Sequence, residues 1–272
     1  LGGRAVLSEA LVELGARLGD DGGAGVHGRV VAELLRRIRE DDGAETPTAL
    51  GRSLAASGAS EEERSALADV AGTIARRMAL EDEAPREPGA AFAWLVLLAA
   101  VDRLYGSALA SLGRLPFISD RLLEFMADEA RAALGDCSGA EARVTASGGR
   151  ALAALAVSRK LQGAISNGLE TPVAPGYRAL YAYDPPGSHV RTHVDSSEYE
   201  LIFHMILEHQ LPGDGASGSA LVAHLPDRGA PTHVWLGPGE GVALSGRGTL
   251  HSWQRLGPGE RRTMVEIAWV RA

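Results

Sequence analysis

Eight short apolar or alternating runs, separated by Gly and Pro, occupy the chain from residue 177 to 270: 177–183, 189–194, 200–208, 219–224, 233–236, 241–244, 249–254 and 261–270. Runs of this length at roughly 8–12-residue spacing are the signature of a β-sandwich or barrel. Eight of them suit a jelly roll, the double-stranded β-helix in which two sheets share the strands. The first part of the chain has the other periodicity. Leu7, Leu11, Leu14 and Leu18, and then Val30, Val31, Leu34, Leu35 and Ile38, recur at helical spacing. Ser60 followed by Glu63 forms a capping box that opens a helix reaching about residue 80. A linker with two prolines spans 81–89, and further helices are expected at 90–112, 122–134 and 150–165. The expected class is α+β: a helical N-terminal domain over 1–112, then a domain over 113–272. The second domain has supporting helices at 116–168 and the jelly roll at 177–270.

Composition narrows the function classes. The chain is 45% apolar and 23% charged, ordinary for a globular protein of 272 residues. A net charge of −8 argues against nucleic acid as a partner, which would call for a basic stripe. Lys160 is the only lysine in an Arg-, Ala- and Gly-rich chain, which reads as the codon bias of a GC-rich genome. One cysteine, Cys137, excludes an internal disulfide framework and fits a reducing cytoplasm. The apolar run 90–101 is short for a bilayer and ends at Asp102 and Arg103, so no membrane span is expected. No secretory signal pattern is visible, and a first residue of Leu1 leads one to expect a further segment upstream.

The chemistry concentrates in the strand-rich part. His193 and Asp195 form a His-x-Asp pair, His251 follows Asp195 by 56 residues, and Arg261 follows His251 by ten. A lone His-x-Asp is common by chance and reads as a strand-end His beside a turn Asp. Here the pair closes an extended segment, where i and i+2 side chains share a face. Two imidazoles and one carboxylate are the ligand set of non-haem Fe(II) oxygenases, which leave open positions on the metal. His189 and His193 are spaced i, i+4, as zinc ligands on a helix would be, but Pro185-Pro186-Gly187 argues against a helix there.

In order and spacing these residues, with the segment Gly-Pro-Gly-Glu-Gly-Val-Ala-Leu-Ser at 237–245 before the distal His, resemble the Fe(II)/2-oxoglutarate-dependent dioxygenases. The nearest branch is the prolyl-hydroxylase-like one. The resemblance spans about residues 116–272, and the helical first part matches nothing in it. It implies iron held by His193, Asp195 and His251, with 2-oxoglutarate chelated to the metal and O2 in the vacant position. Succinate and CO2 would be the coproducts, and ascorbate is an expected reductant. Arg261-Arg262-Thr263 matches the family's Arg-x-Ser/Thr element, which grips the far carboxylate of 2-oxoglutarate. Strand parity sets Arg261 with Thr263, Val265, Ile267 and Trp269, and Arg262 with Glu266 on the other face, which favours Arg261 as the anchor.

Tyr183 stands at the offset from His193 where the branch places a cosubstrate-facing hydroxyl, with an aromatic core stripe as the alternative because Tyr177 and Tyr181 share its parity. His204 aligns with pocket positions and is either a hydrogen-bond donor to 2-oxoglutarate or a satisfied core histidine. Arg191 and His189 are expected on the rim, near substrate. The expected activity is hydroxylation of an unactivated C–H in a small metabolite, natural-product intermediate or peptide side chain. Asp195 disfavours halogenation, for which this position would be open to halide. The alternative is a cupin-like jelly roll that binds a metal and uses no 2-oxoglutarate. The helical region is expected to buttress a sheet, cover the barrel mouth or make a homodimer contact.

Overall fold

The structure, a computed structural model, describes residues 2–20, 25–40, 46–56, 60–78, 85–137, 139–174, 178–195, 199–211, 213, 218–228 and 230–269. Five helices come first: α1 (Gly2–Asp20), α2 (Val26–Glu40), α3 (Pro47–Ala55), α4 (Glu61–Met78) and α5 (Pro88–Tyr105). Leu7, Leu11, Leu14, Val31, Leu34 and Ile38 bury together, so the 3.6-residue periodicity marks the inward faces of α1 and α2. The capping box opening α4 is reciprocal: the Glu63 N–H donates to Ser60 Oγ (3.2 Å) and the Ser60 N–H donates to Glu63 Oε2 (3.0 Å). The expected end of this helix at residue 80 and the linker up to residue 84 lie outside the described residues.

The 18 residues of α5 are long and apolar enough to cross a membrane by composition. They are a longer stretch than the 90–101 run alone. Trp94, Val96, Leu97, Leu98 and Val101 are buried in the helical cluster, which is the placement of a core helix. The helix expected to reach residue 112 stops at Tyr105 instead. Gly106 takes a φ of 71°, which suits glycine, and the chain turns into strand β1 (Leu109–Arg114). A domain boundary at 112/113 would therefore cut a strand.

Next come α6 (Asp120–Leu134), β2 (Val144–Ser147), α7 (Arg150–Ala156) and α8 (Arg159–Leu169). Ser119 caps α6 by accepting from the Leu122 N–H at 3.2 Å. The single helix expected at 150–165 is two helices, separated where Ser158 takes an extended conformation. Then all eight expected strands follow: β3 (Arg178–Asp184), β4 (Val190–His193), β5 (Leu201–Gln210), β6 (Leu221–His224), β7 (Thr232–Val234), β8 (Glu240–Ser245), β9 (Leu250–Trp253) and β10 (Arg261–Trp269). Tyr177 and Val270, at the ends of two expected strands, lie outside the described residues.

The strands make two antiparallel sheets. One has six strands in the order β1-β8-β5-β10-β3-β2, and the other has four in the order β4-β9-β6-β7. Between β3 and β10 the chain passes back and forth between the sheets, giving the jelly roll, and β1 and β2 extend the larger sheet at its two edges. Four layers result. Helices α6–α8 cover the outer face of the large sheet through Met126, Leu152, Leu161, Val265, Ile267 and Trp269. Ile206, Leu221, Val242, Leu244, Trp253 and Met264 fill the space between the sheets. Helices α1–α5 lie on the small sheet, whose Val194 and Leu250 join the helical cluster. The Trp94 ring meets His224 of β6 edge-on at 4.8 Å. Because both faces of most strands are covered, their sequences read as near-continuous apolar runs instead of clean alternation.

Candidate metal centre and its cavity

Antiparallel pairing of β4 and β9 sets His193 directly opposite His251. Their ring centroids lie 4.5 Å apart. Asp195 follows just beyond the end of β4, where its N–H donates to the Gly246 carbonyl at 2.9 Å. Gly246 is required here by close approach. A Cβ at this position would stand 2.4 Å from Asp195 Oδ2 and 2.5 Å from the Tyr199 carbonyl oxygen. His193 Nε2 is 3.4 Å from Asp195 Oδ1, and His251 Nε2 is 3.7 Å from Asp195 Oδ2. One ligand atom from each of the three residues lies within 4.8 Å of the others. Donors about 2.1 Å from a shared ion stand about 3 Å apart, so small side-chain adjustments close this set on a metal.

The protonation pattern is that of a ligand set. His193 Nδ1 lies 2.8 Å from the Arg191 carbonyl oxygen, and His251 Nδ1 lies 2.8 Å from the Thr249 carbonyl oxygen. A carbonyl only accepts, so each Nδ1 carries a proton, and Nε2, the atom facing Asp195, is the position open to a metal. Burial pushes His251 down to about 4, against the pull of Asp195, which keeps the imidazole neutral near pH 7. Burial pushes the Asp195 carboxyl up, but in the acidic range where it titrates the positive charge on His251 and a hydrogen bond from His193 outweigh burial and hold the group below its ordinary value. Asp195 Oδ2 is buried without a hydrogen-bond partner. A buried carboxylate oxygen left open beside two imidazole nitrogens fits a divalent cation.

The triad opens on a cavity of about 180 Å³ between the sheets. Arg143, His204, Trp253 and Glu266 contribute its polar lining, and Leu180, Val190 and Ile202 contribute apolar wall. Several of these groups have unused hydrogen-bonding capacity: Arg143 Nε, both ring nitrogens of His204, Trp253 Nε1 and Glu266 Oε1 are buried and unpartnered. Arg143 lies within ion-pair distance of Asp184 Oδ1 (2.9 Å) and Glu266 Oε1 (2.7 Å). Neither contact is aligned as a hydrogen bond, so the guanidinium keeps donors to offer. His204 Nδ1 is 3.6 Å from Glu266 Oε1, and its ring meets Trp253 edge-on. Burial and the nearby Arg143 cation hold His204 well below its ordinary value, in the neutral form.

The residues expected from sequence divide into three groups. His193, Asp195, His251 and His204 are brought together around the cavity. Arg191 contributes its carbonyl to His193, and its exposed side chain is not among the lining groups. His189 lies outside the cavity, its Nε2 3.4 Å from Arg255 Nη2. Arg261, Thr263 and Tyr183 are not at the metal centre. They line a separate cavity on the outer face of the large sheet, under α6.

The parity read from sequence is correct, and the face chosen is not. Val265, Ile267 and Trp269, which share a face with Arg261 and Thr263, pack against α6–α8. The inner face of β10 carries Met264 and the cavity-lining Glu266 and Ala268, and Arg262 shares that parity. Arg262 is 2% exposed, donates to Asp184 Oδ2 from Nε (3.1 Å) and Nη2 (2.8 Å), and stacks on Trp253 at 3.9 Å. The same inversion applies on β3: Asp184 points inward, whereas buried Tyr181 donates to Glu129 Oε2 at 2.5 Å beneath the helices. Arg143 gives no sequence signal, because it precedes a four-residue strand and reaches the site only through pairing of β2 with β3.

No protein-family model and no curated protein matches this sequence. Solved structures do. A prolyl-4-hydroxylase from Pseudomonas putida aligns at TM-score 0.44 and 22% identity, covering 65% of this chain and 100% of the other. A 2OG-Fe(II) oxygenase family oxidoreductase from Burkholderia pseudomallei aligns at 0.46 and 16% identity, covering 64% and 88%. A viral collagen prolyl hydroxylase from Paramecium Bursaria Chlorella virus-1 aligns at 0.45 and 14% identity, covering 61% and 97%. With these scores below 0.5, the fold stands on strand order and register, and any activity stands on the triad and its cavity.

Proposed function

We propose that this chain is an Fe(II)- and 2-oxoglutarate-dependent oxygenase that hydroxylates an unactivated C–H of a small molecule or a peptide side chain. The observation that carries the reading is the His193, Asp195 and His251 cluster, facing a cavity edged by unpartnered buried polar atoms. Two imidazoles and a carboxylate on one side of a metal leave its other side open to cosubstrate and oxygen. Iron and 2-oxoglutarate bound there supply the oxidant, with succinate and CO2 as coproducts.

The chain's own residues have the remaining tasks. Hydrogen bonds from Nδ1 fix the two histidine rings, and Gly246 leaves room for the Asp195 carboxylate. Of the two arginines that line the cavity, Arg178 is exposed and Arg143 lies deeper, so Arg143 takes the anchoring role that sequence alone gave to Arg261. Trp253 Nε1 and a ring nitrogen of His204 are further groups available to the cosubstrate. Leu180, Val190 and Ile202 keep water from the metal, and exposed Arg178 with Tyr199 borders the approach for substrate.

One observation favours a second reading, a cupin-like metal protein with no 2-oxoglutarate. Glu266 places a carboxyl in the cavity beside Arg143, although burial pushes that carboxyl up towards the neutral form against the pull of Arg143. Anaerobic addition of Fe(II) and 2-oxoglutarate to metal-free protein separates the two. The oxygenase reading expects a weak visible charge-transfer band that needs protein, iron and 2-oxoglutarate together. It also expects Arg143→Gln to raise the 2-oxoglutarate requirement by on the order of tenfold or more. Iron binding without that band overturns 2-oxoglutarate dependence and leaves the cupin-like reading.

A further inference from the structure

We infer that the cavity behind the large sheet is a second binding site, built for an organic carboxylate with an apolar body. It is an open cleft of about 450 Å³ between the C-terminal end of α6 and the outer face of β3, β5 and β10. This inference does not rest on the oxygenase reading, because the cavity lies on the opposite face of β10 from the metal centre.

Strand register explains why its polar groups converge. Tyr183, Thr263 and Glu208 stand directly opposite one another on the three neighbouring strands. Arg261 lies two residues from Thr263 on the same face, beside Gln210 of β5. Opposed side chains on adjacent strands begin about 5 Å apart, and i, i+2 neighbours about 7 Å apart. A guanidinium and two hydroxyls can therefore meet over one small ligand group.

The charges are unequal across this cavity. Arg131, from α6, pairs with Glu208 and Asp128. Arg261 is exposed and has no ion-pair partner among the described residues, and Tyr183 and Thr263 make no side-chain hydrogen bond among them. Arg131 is thus already engaged by two carboxylates, and Arg261 is the lining arginine left without an ion-pair partner among the described residues. A planar guanidinium fork grips a carboxylate with two parallel hydrogen bonds, and neighbouring hydroxyls add to it. Leu134 and the Tyr183 ring supply the apolar wall for the rest of the ligand.

Cys137 provides a reporter inside this cavity. It is the only cysteine in the chain, half-buried in the wall, with its thiol 3.6 Å from the Leu134 carbonyl oxygen. Benzoate is the probe, and benzamide is the neutral control of the same shape. The rate of Cys137 alkylation by iodoacetamide is followed by intact mass. Benzoate is expected to slow alkylation where benzamide does not. Arg261→Gln, a change at an exposed side chain, is expected to raise the benzoate concentration needed for half-protection by on the order of tenfold. Protection in Asp195→Ala is expected to match the unaltered protein, which separates this cavity from the metal centre. Equal protection by benzamide, no protection by benzoate, or protection unaffected by Arg261→Gln overturns the proposal.

Discussion

Replacing Arg262 and Arg261 in turn by Met tests how β10 is laid between its two layers. The Arg262 guanidinium is buried, donates twice to Asp184 Oδ2, and sits 3.9 Å above the Trp253 ring. Each charge-assisted hydrogen bond is worth about 1.5–3 kcal/mol and the stacking about 1 kcal/mol. Two terms lower the net cost. Methionine restores part of the apolar contact, and Arg143 stays 2.9 Å from Asp184 Oδ1, so the carboxylate is not left without a cation. Breaking one side of a buried pair costs about 3–5 kcal/mol, and the retained Arg143 places Arg262→Met near the lower end, at about 3 kcal/mol. Arg261 is exposed and unpaired among the described residues, so Arg261→Met should stay within about 0.5 kcal/mol of the unaltered protein. Urea unfolding followed by tryptophan fluorescence measures both. The double variant Arg262→Met with Asp184→Leu should recover much of the loss, since both charges leave together. Equal losses for the two single variants, or a loss under about 1 kcal/mol for Arg262→Met, would refute the assignment of faces on β10.

Other expectations follow from the same geometry. Asp195→Ala should weaken anaerobic Fe(II) binding, measured by calorimetry, by more than the roughly tenfold to hundredfold typical of losing an outer-shell partner. Unchanged affinity would remove Asp195 from the ligand set. Gly246→Ala should drive the new Cβ into Asp195 Oδ2 and the Tyr199 carbonyl, lowering iron affinity by about tenfold or more and stability by about 1–3 kcal/mol. Burial pushes His224 of β6 down to about 4, with the neighbouring His233 adding to the effect. An unfolded chain takes up this proton near pH 6.5 and the native state only near pH 4. The contribution is therefore intact above pH 6.5 and is lost as pH falls towards 4, by on the order of 3 kcal/mol. His224→Phe keeps a ring against Trp94 and should flatten that fall in a series of urea midpoints; an unchanged slope would show that His224 does not carry it.

The jelly roll was legible because its strands are short, apolar and punctuated by Gly and Pro, so their existence did not depend on knowing their partners. All eight appear within a few residues of the expected limits. The two edge strands were not legible, for physical reasons. Leu109–Arg114 continues the apolar composition of α5, and only the positive φ of Gly106 separates them. Val144–Ser147 has no buried residue and is a strand only because β3 pairs with it. The candidate metal triad was legible because His193 and Asp195 stand two residues apart at the end of one extended segment and the third residue carries the chemistry of its type. Its spatial closeness comes from the pairing of β4 with β9.

The anchor residues show where local reasoning fails. Parity on β10 separates Arg261 and Thr263 from Arg262 and Glu266, but parity cannot say which set looks inward. A strand held between two layers buries both faces, so burial alone does not rank them either. The residues themselves do. The Arg261 face continues through Val265, Ile267 and Trp269, an apolar surface suited to helices α6–α8. The other face carries Arg262 and Glu266, charges that can be buried only where partners are supplied. Those partners come from Asp184 on β3 and from Arg143, both remote in sequence from β10. A buried face that needs imported countercharges is the face that lines a polar cavity, and on this strand it is the one beside His193, Asp195 and His251.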